Sequence, residues 1–438
     1  MKFLLINPTA PFWQAKQGKR PSRKTQAFRF SMLSSLYVAA SVPPPIETRI
    51  VDEDVEPLDP DCDADLIGIS FMTYNAPRAY EIADAYRQKG KTVIVGGYHP
   101  SLVPEEAGLH ADAVCIGEAE ANVPQMMRDF LGGSLKKYYS GSLADLRGIP
   151  VPDRRLIRQR AYAPVDTVQA TRGCPNRCSF CSVTSFFHNN CRARPVDEVI
   201  DEIAPLGNYI LFMDDNITAN RDYAKELFAR LAPLRKHWVS QSCVEIAYDE
   251  ELLTLAVHSG CRGLFIGLES LSDESLQGWN KHQNKARDYE WAIHRLHAAG
   301  ISVCPGIVFG HDSDTPEVFA KTLDFLLRCN VEVLQATILT PFPGTPLYQD
   351  MLEQGRITDS NWAHYDFSHV VFDPKGMSSE ELARGHSWVL RNFYARTAIA
   401  KRVVRSLSYL TPSTVLKTCL LLNLAYRSRL CTNGTITS

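Results

Sequence analysis

The stretch Thr171-Arg172-Gly173-Cys174-Pro175-Asn176-Arg177-Cys178-Ser179-Phe180-Cys181 spaces three cysteines as C-x3-C-x2-C. Three thiolates on one short loop can each bind a different iron of a cubane cluster, which leaves the fourth iron open to an outside ligand. A structural zinc site asks for a fourth Cys or His nearby, and Cys191 and His188 are the local candidates. Gly173, just before the first cysteine, allows the tight backbone approach that wrapping a cluster needs. The residue types point to an iron–sulfur cluster with one free corner, with zinc as the alternative.

The surrounding sequence must position this loop. A strand at 167–170 runs straight into it. Then come helix 196–205, strand 209–213, helix 223–231, strand 239–244, helix 250–259 and strand 263–267. Helix 289–299, strand 302–309, helix 316–329 and strand 333–339 complete the series. That alternation predicts a partial (β/α)6 barrel of TIM type over 165–345, too short to close at eight strands. Before it, apolar runs at 3–6, 49–51, 66–70, 92–95 and 113–116 read as buried strands, and 77–89 and 123–131 have helical spacing. The N-terminal part, 1–140, is therefore an α/β, flavodoxin-like doubly wound domain. Ligands of such sheets sit beyond the carboxyl ends of the strands, where Ser70, Gly96-Gly97-Tyr98-His99 and Gly117-Glu118 fall. Residues 141–164 read as a linker, with Pro150, Pro152 and clustered Arg, and 346–438 as a small, mainly helical C-terminal domain.

The cysteine motif, with the aromatic Phe180 before its third cysteine, resembles the radical S-adenosylmethionine superfamily, whose partial barrel fits the same pattern. The resemblance implies a [4Fe–4S] cluster on Cys174, Cys178 and Cys181. Its open iron is chelated by the methionyl group of S-adenosylmethionine, which is cleaved reductively to a 5′-deoxyadenosyl radical. It also implies cofactor contacts at Asp214, Asp215 and Asn216, where the family meets the methionine amino group; an Asp-Asn helix cap is the bland alternative. Glu269 and Ser270 resemble the element near the ribose and carboxylate, and Gly306 and Ile307 the adenine contact. A paired buried acid and an ordinary core strand are the alternatives there. No acid–base catalytic residue follows from the resemblance.

The doubly wound domain ahead of the barrel resembles the cobalamin-binding branch of that superfamily. In this branch Ser70 and the Gly96-Gly97 pair lie along the nucleotide tail, and Gly-Gly-Tyr-His-Pro and Gly117-Glu118-Ala119-Glu120 are typical. The Asp-x-His-x-x-Gly signature for a lower axial His is absent: the first loop reads Asn7-Pro8-Thr9-Ala10-Pro11, and no His lies in the first 98 residues. Cobalamin would bind without a protein axial ligand, or the domain would serve as scaffold. His99 is either a ligand or a loop histidine making ordinary hydrogen bonds. The resemblance implies methylation of an unactivated carbon of a small-molecule or lipid-like substrate. One molecule of S-adenosylmethionine would supply the methyl through the corrinoid and a second the radical, with flavodoxin or ferredoxin as external reductant. Oxidative cyclisation or rearrangement without methyl transfer is the second reading, and a non-catalytic iron–sulfur or zinc module the third.

A formal net charge of −2 gives no general pull toward nucleic acid. No secretory signal pattern opens the chain, so the cysteines are expected in a reducing cytoplasm. From Leu382 onward there are nine Lys or Arg and no acid. Val403, Val404, Leu407, Leu410, Val415, Leu416 and Leu420 to Leu422, beside Lys401, Arg402, Arg405 and Lys417, could form a peripheral membrane-surface helix; a solvated cationic face is the usual alternative. Cys62, Cys115, Cys243, Cys261, Cys304, Cys329, Cys419 and Cys431 are most simply small buried groups.

Overall fold

The computed structural model describes residues 1–9 and 29–432. Ala10, Pro11 and the basic stretch after Trp13 lie outside the described residues, as does the side chain of Cys431.

The first domain is a six-stranded parallel sheet in the order β2-β1-β3-β4-β5-β6. Its strands are β1 (Lys2–Asn7), β2 (Glu47–Asp52), β3 (Leu66–Ser70), β4 (Thr92–Gly96), β5 (Ala113–Ile116) and β6 (Tyr138–Ser140). The continuous apolar run of β1 has a simple cause. Successive side chains of a strand point to opposite faces, and both faces are covered: Leu4 and Ile6 enter one core, Phe3 and Leu5 the other. Helices Leu33–Ala40, Ala76–Gln88 and Ala119–Leu131 provide that cover. The predicted strands are all present. The first helix and β6 were not expected from the sequence; β6 closes the expected first domain just before the linker. The linker is not loose chain: Ile157 and Tyr162 sit in the first domain's core, and the Tyr162 hydroxyl donates to Asp52 Oδ2 at 2.8 Å.

The barrel is a second six-stranded parallel sheet whose strands follow in sequence order, β7-β10-β11-β12-β13-β14. They are β7 (Asp166–Val168), β10 (Tyr209–Phe212), β11 (His237–Ser242), β12 (Cys261–Glu269), β13 (Ser302–Phe309) and β14 (Gln335–Ile338). The edge strands β7 and β14 do not pair, so the barrel is open, as its length predicts. A two-stranded hairpin, β8 (Thr171–Arg172) with β9 (Arg192–Ala193), encloses the cysteine loop. The C-terminal helix Ser379–Phe393 begins with a capping box between Ser378 and Glu381. Its Leu382, Val389, Leu390 and Phe393 belong to the same core as the barrel. This helix of the helical C-terminal part therefore packs on the barrel wall and shares its core.

Candidate radical and cobalamin site

The cysteine loop leaves the top of β7 and returns through β9. Gly173 has φ +84°, and a Cβ there would collide with the carbonyl oxygen of Asn190, so the hairpin can close only over a glycine. Cys174, Cys178 and Cys181 are free thiols. Burial pushes the Cys174 thiol up to about 12 and that of Cys178 to about 11, and raises Cys181 as well. Cys174 feels the charge of Cys181, and Cys178 that of both Cys174 and Cys181, so the sulfurs lie near one another. Such a set is poor at holding free thiolates and suited to a cation, whose charge replaces the lost protons. Among the described residues no three His, Cys, Asp or Glu side chains converge to hold a single ion. Three thiols on one short loop suit three corners of a cubane cluster. The segment after β12 fixes this loop: Ser179 N donates to Trp279 O at 3.1 Å, and Asn280 Nδ2 donates to Arg177 O at 2.9 Å. Phe180 packs edge-on against Trp279, centroids 5.4 Å apart.

The acidic strand end after β10 divides its labour in a way the sequence does not reveal. Asp214 is fully buried and accepts from Ala170 N, Thr171 N and Thr171 Oγ1 at 3.1, 2.5 and 2.6 Å. Burial pushes its carboxyl up to about 7. Both oxygens are thus engaged by the base of the cysteine loop, which Asp214 holds in place. Asp215 is half-buried, accepts from Gly173 N at 2.8 Å and is pushed up to about 6, again by burial. Of the pair, it is the one with an oxygen left for an ammonium group. Asn216 is buried, its Oδ1 accepting from Thr218 and its Nδ2 lying 3.2 Å from Cys243 Sγ.

Glu269 ends β12 at φ +65° and forms an ion pair with Lys281, both side chains nearly buried. A non-glycine residue in that conformation is strained and persists only where its surroundings hold it. The Ser270 hydroxyl accepts from Ser272 N at 3.1 Å, so it shapes the turn that follows. Gly306 faces Gly267 across β12 and β13, and a Cβ on it would lie 2.7 Å from the Phe265 ring. Ile307 is 2% exposed, its side chain packed within the barrel core. Three residues missed in the sequence also belong here. Cys243, read as a buried group, receives amide hydrogens from Asn176 and Asn216. Lys281 and Arg172 are the others, and a strand-end position beside the cysteines is the signal that could have flagged Cys243 and Arg172.

In the first domain, Gly97 adopts φ +104°, with a hypothetical Cβ 2.7 Å from Phe71 O and 3.3 Å from Ser70 Oγ. Gly117, at φ +86° after β5, has nothing within 4 Å of its would-be Cβ. One glycine is required by close approach of the chain, and the other leaves open room at the carboxyl ends of the strands. That is a cradle a flat or extended cofactor can enter, so the residues present fit a cobalamin tail. His99 does not take part. It is fully buried, its ring nitrogens 3.3 Å from Thr73 Oγ1 and 3.1 Å from the Tyr80 hydroxyl, so the ligand alternative is corrected to the ordinary one. Tyr98 points instead to the cysteine side, stacked on Phe186 with centroids 4.4 Å apart.

Residues 168–326 match the model of the radical SAM superfamily, and residues 35–126 match the B12-binding domain. The chain is 33% identical over 351 residues to bacteriochlorophyllide d C-12(1)-methyltransferase of Chlorobaculum tepidum, covering 77% of this chain and 76% of that one. The chain belongs to the cobalamin-dependent radical S-adenosylmethionine enzymes. Bacteriochlorophyllide d C-8(2)-methyltransferase of the same organism is 30% identical, covering 75% and 78% of the two chains. The fold is shared with the radical S-adenosylmethionine methyltransferase TsrM of Kitasatospora setae, solved with cobalamin and a [4Fe–4S] cluster, at 16% identity and TM-score 0.65 over 94% and 89% of the chains.

In this enzyme the two cofactor domains are joined by charge. Arg172 Nη1 and Nη2 donate to Glu118 Oε1 and Glu120 Oε1 at 2.8 and 2.5 Å. Arg192 donates to both oxygens of Glu118, at 2.8 and 3.0 Å, and Ala144 N adds a third bond at 2.7 Å. Glu118 was expected to meet the cofactor; its carboxylate is instead consumed by this clamp. Since Arg172 lies two residues before Cys174, the clamp ties the cysteine loop to the strand ends of the first domain. The C-terminal segment also departs from the amphipathic reading. Arg402 is buried against the Phe393 ring at 3.8 Å and bonded to Asn423, while Leu410, Val415 and Cys419 pack inward. Val404, Leu407, Leu416, Leu421 and Leu424 remain exposed. Among the described residues no helix is long and apolar enough to cross a membrane.

Proposed function

We propose that this enzyme methylates an unactivated peripheral carbon of a cyclic tetrapyrrole. The carrying observation is similarity over three quarters of both chains to two proteins named for methylating bacteriochlorophyllide d. When bound, the cluster and S-adenosylmethionine supply a carbon-centred radical and the corrinoid a transferable methyl group. The protein's own part is placement. The loop from Cys174 to Cys181 presents one open face, Asp215 is available to the methionyl ammonium, and the Glu269–Lys281 pair offers one charge of each sign beside the thiols. The Arg172 clamp keeps the two cofactor ends in register, which is where orientation yields rate. A low-potential flavodoxin or ferredoxin in the cytoplasm would supply the electron. The exposed apolar residues of the tail would allow the protein to rest on a membrane surface beside a lipid-like substrate.

Cyclisation is a second reading with an observation of its own: 29% identity over 238 residues to anaerobic magnesium-protoporphyrin IX monomethyl ester cyclase of Cereibacter sphaeroides. Product mass separates the two. Anaerobic enzyme loaded with cluster and cobalamin, given reductant, S-adenosylmethionine and a metallated chlorophyllide, is expected to release 5′-deoxyadenosine together with a product heavier by one CH2. A product of unchanged carbon count would overturn methylation.

A further inference from the structure

Two His–Asp pairs lie outside the machinery described so far, in the segment between helices Pro346–Glu353 and Ser379–Phe393. His364 Nδ1 is 2.6 Å from Asp359 Oδ2, and His369 Nδ1 is 3.0 Å from both oxygens of Asp366. The two imidazoles stack, centroids 4.7 Å apart and planes inclined by 25°. Among the described residues neither Nε2 has a hydrogen-bond partner, and the side chains of His364 and His369 are 40% and 51% exposed.

Their position matters as much as their chemistry. Ile338 N donates to Phe367 O at 2.8 Å, which ties the segment to the carboxyl end of β14. Trp362 Nε1 donates to Glu106 Oε1 at 2.8 Å, and its ring meets His99 edge-on at 5.2 Å. The turn Trp362–His364 packs on the turn Thr73–Asn75 that leaves β3. The histidines thus stand where the carboxyl ends of both sheets face each other, and each fold places its ligand at that end.

A buried carboxylate on Nδ1 fixes an imidazole's tautomer and orientation and makes Nε2 a better donor to a metal. Asp366 suits this role: its side chain is 2% exposed and is itself held by Ser368 N at 2.9 Å and His369 N at 3.1 Å. A turn-stabilising acid needs neither imidazole. A hydrocarbon substrate would gain nothing from them, whereas the central ion of a magnesium tetrapyrrole has an axial position to fill. We propose that His369, steadied by Asp366 and flanked by His364, is the axial ligand to the central magnesium of a metallated tetrapyrrole substrate. This assignment rests on the tetrapyrrole reading above. The axial bond fixes the centre of the macrocycle between the two cofactor ends and leaves its peripheral carbons at a set radius. No electron moves: the Nε2 lone pair of the neutral imidazole replaces a solvent ligand on the ion, and any proton carried by Nε2 is released to solvent.

The test is anaerobic titration of the cofactor-loaded enzyme with zinc chlorophyllide and with its metal-free counterpart, followed by absorption and magnetic circular dichroism. Wild type is expected to give the spectrum of a nitrogen-ligated five-coordinate zinc chlorin and to prefer the metallated ring about tenfold or more. His369→Ala should lose both the ligation spectrum and that preference, with the metal-free affinity unchanged, and added imidazole should restore the spectrum. His369→Gln, with iron and cobalamin content measured, guards against a folding defect, and His364→Ala should keep ligation. If His369→Ala retains the wild-type spectrum and preference, axial ligation is overturned while the tetrapyrrole reading stands. If wild type binds neither ring, both fall.

Discussion

At the barrel mouth the groups that would hold a cofactor are side chains from one loop, Cys174 to Cys181, with their surroundings arranged afterwards by Gly173, Asp214 and Trp279. In the first domain the candidate contacts come from the ends of three strands, β3, β4 and β5, and the decisive ones, Gly97 and Gly117, have no side chain at all. Covalent ligation demands particular atoms. Docking of a large cofactor along backbone demands room and close approach, so it tolerates variation at every position that does not fill the space. The missing axial-His signature is consistent with this difference. The clamp of Arg172 and Arg192 on Glu118 and Glu120 is where the two regimes meet.

If the regimes are as distinct as this, damage should stay on its own side. Cys178→Ala should abolish the cluster and lower 5′-deoxyadenosine release by about a thousandfold or more, the cost of losing the group that carries the chemistry. Iron and sulfide analysis should show the loss while cobalamin retention persists; loss of both would break the comparison. Arg172→Ala attacks the junction. It leaves nearly buried Glu120 without its ion-pair partner while Glu118 keeps Arg192, so a destabilisation of about 3 kcal/mol is expected in urea unfolding. Arg172→Lys should fall between, since an ammonium cannot serve both acids with the same fork.

Gly97→Ala forces a side chain into a backbone conformation that only glycine adopts readily and against Phe71 O, at about 3 kcal/mol. Here cobalamin retention should fall while the iron content holds, the mirror image of the cysteine variant. The smallest effect concerns Asp54, at the end of β2, which burial pushes up to about 6 although Thr9 bonds to it. Its folded value exceeds its unfolded one, so the unfolded chain loses the proton first and stability falls as pH rises from about 4 to about 6. Asp54→Asn should remove about 2 kcal/mol of that fall and be neutral or stabilising at pH 7.5, measured by unfolding at the two ends of the window. An unchanged pH profile would show the carboxylate to be solvated.

The strands were legible because parallel strands covered on both faces leave uninterrupted apolar runs, as at Phe3 to Ile6. Helix Leu33–Ala40 was not, since no side-chain cap marks its start and its alternation of small and large residues is short. Strand β6 is three residues long and gains its identity only from pairing with β5. Glu118 was read as a cofactor contact, and His99 left open between a ligand and an ordinary loop histidine, for a common reason. A polar residue at a strand end looks like a ligand contact until the distant partner that consumes it is known, and those partners are Arg172 and Arg192 in one case, Thr73 and Tyr80 in the other.

By itself the sequence determined the cluster loop, because three thiols within one turn of chain must be neighbours whatever the rest does. It also determined the two parallel sheets, through periodicity. The tertiary structure alone decided which acid of the Asp214–Asp215 pair stays available and how the first domain is clamped to the cysteine loop. It also decided where His364 and His369 stand. These depend on groups tens to hundreds of residues apart, and hydrogen bonds and ion pairs over such separations leave no local pattern to read.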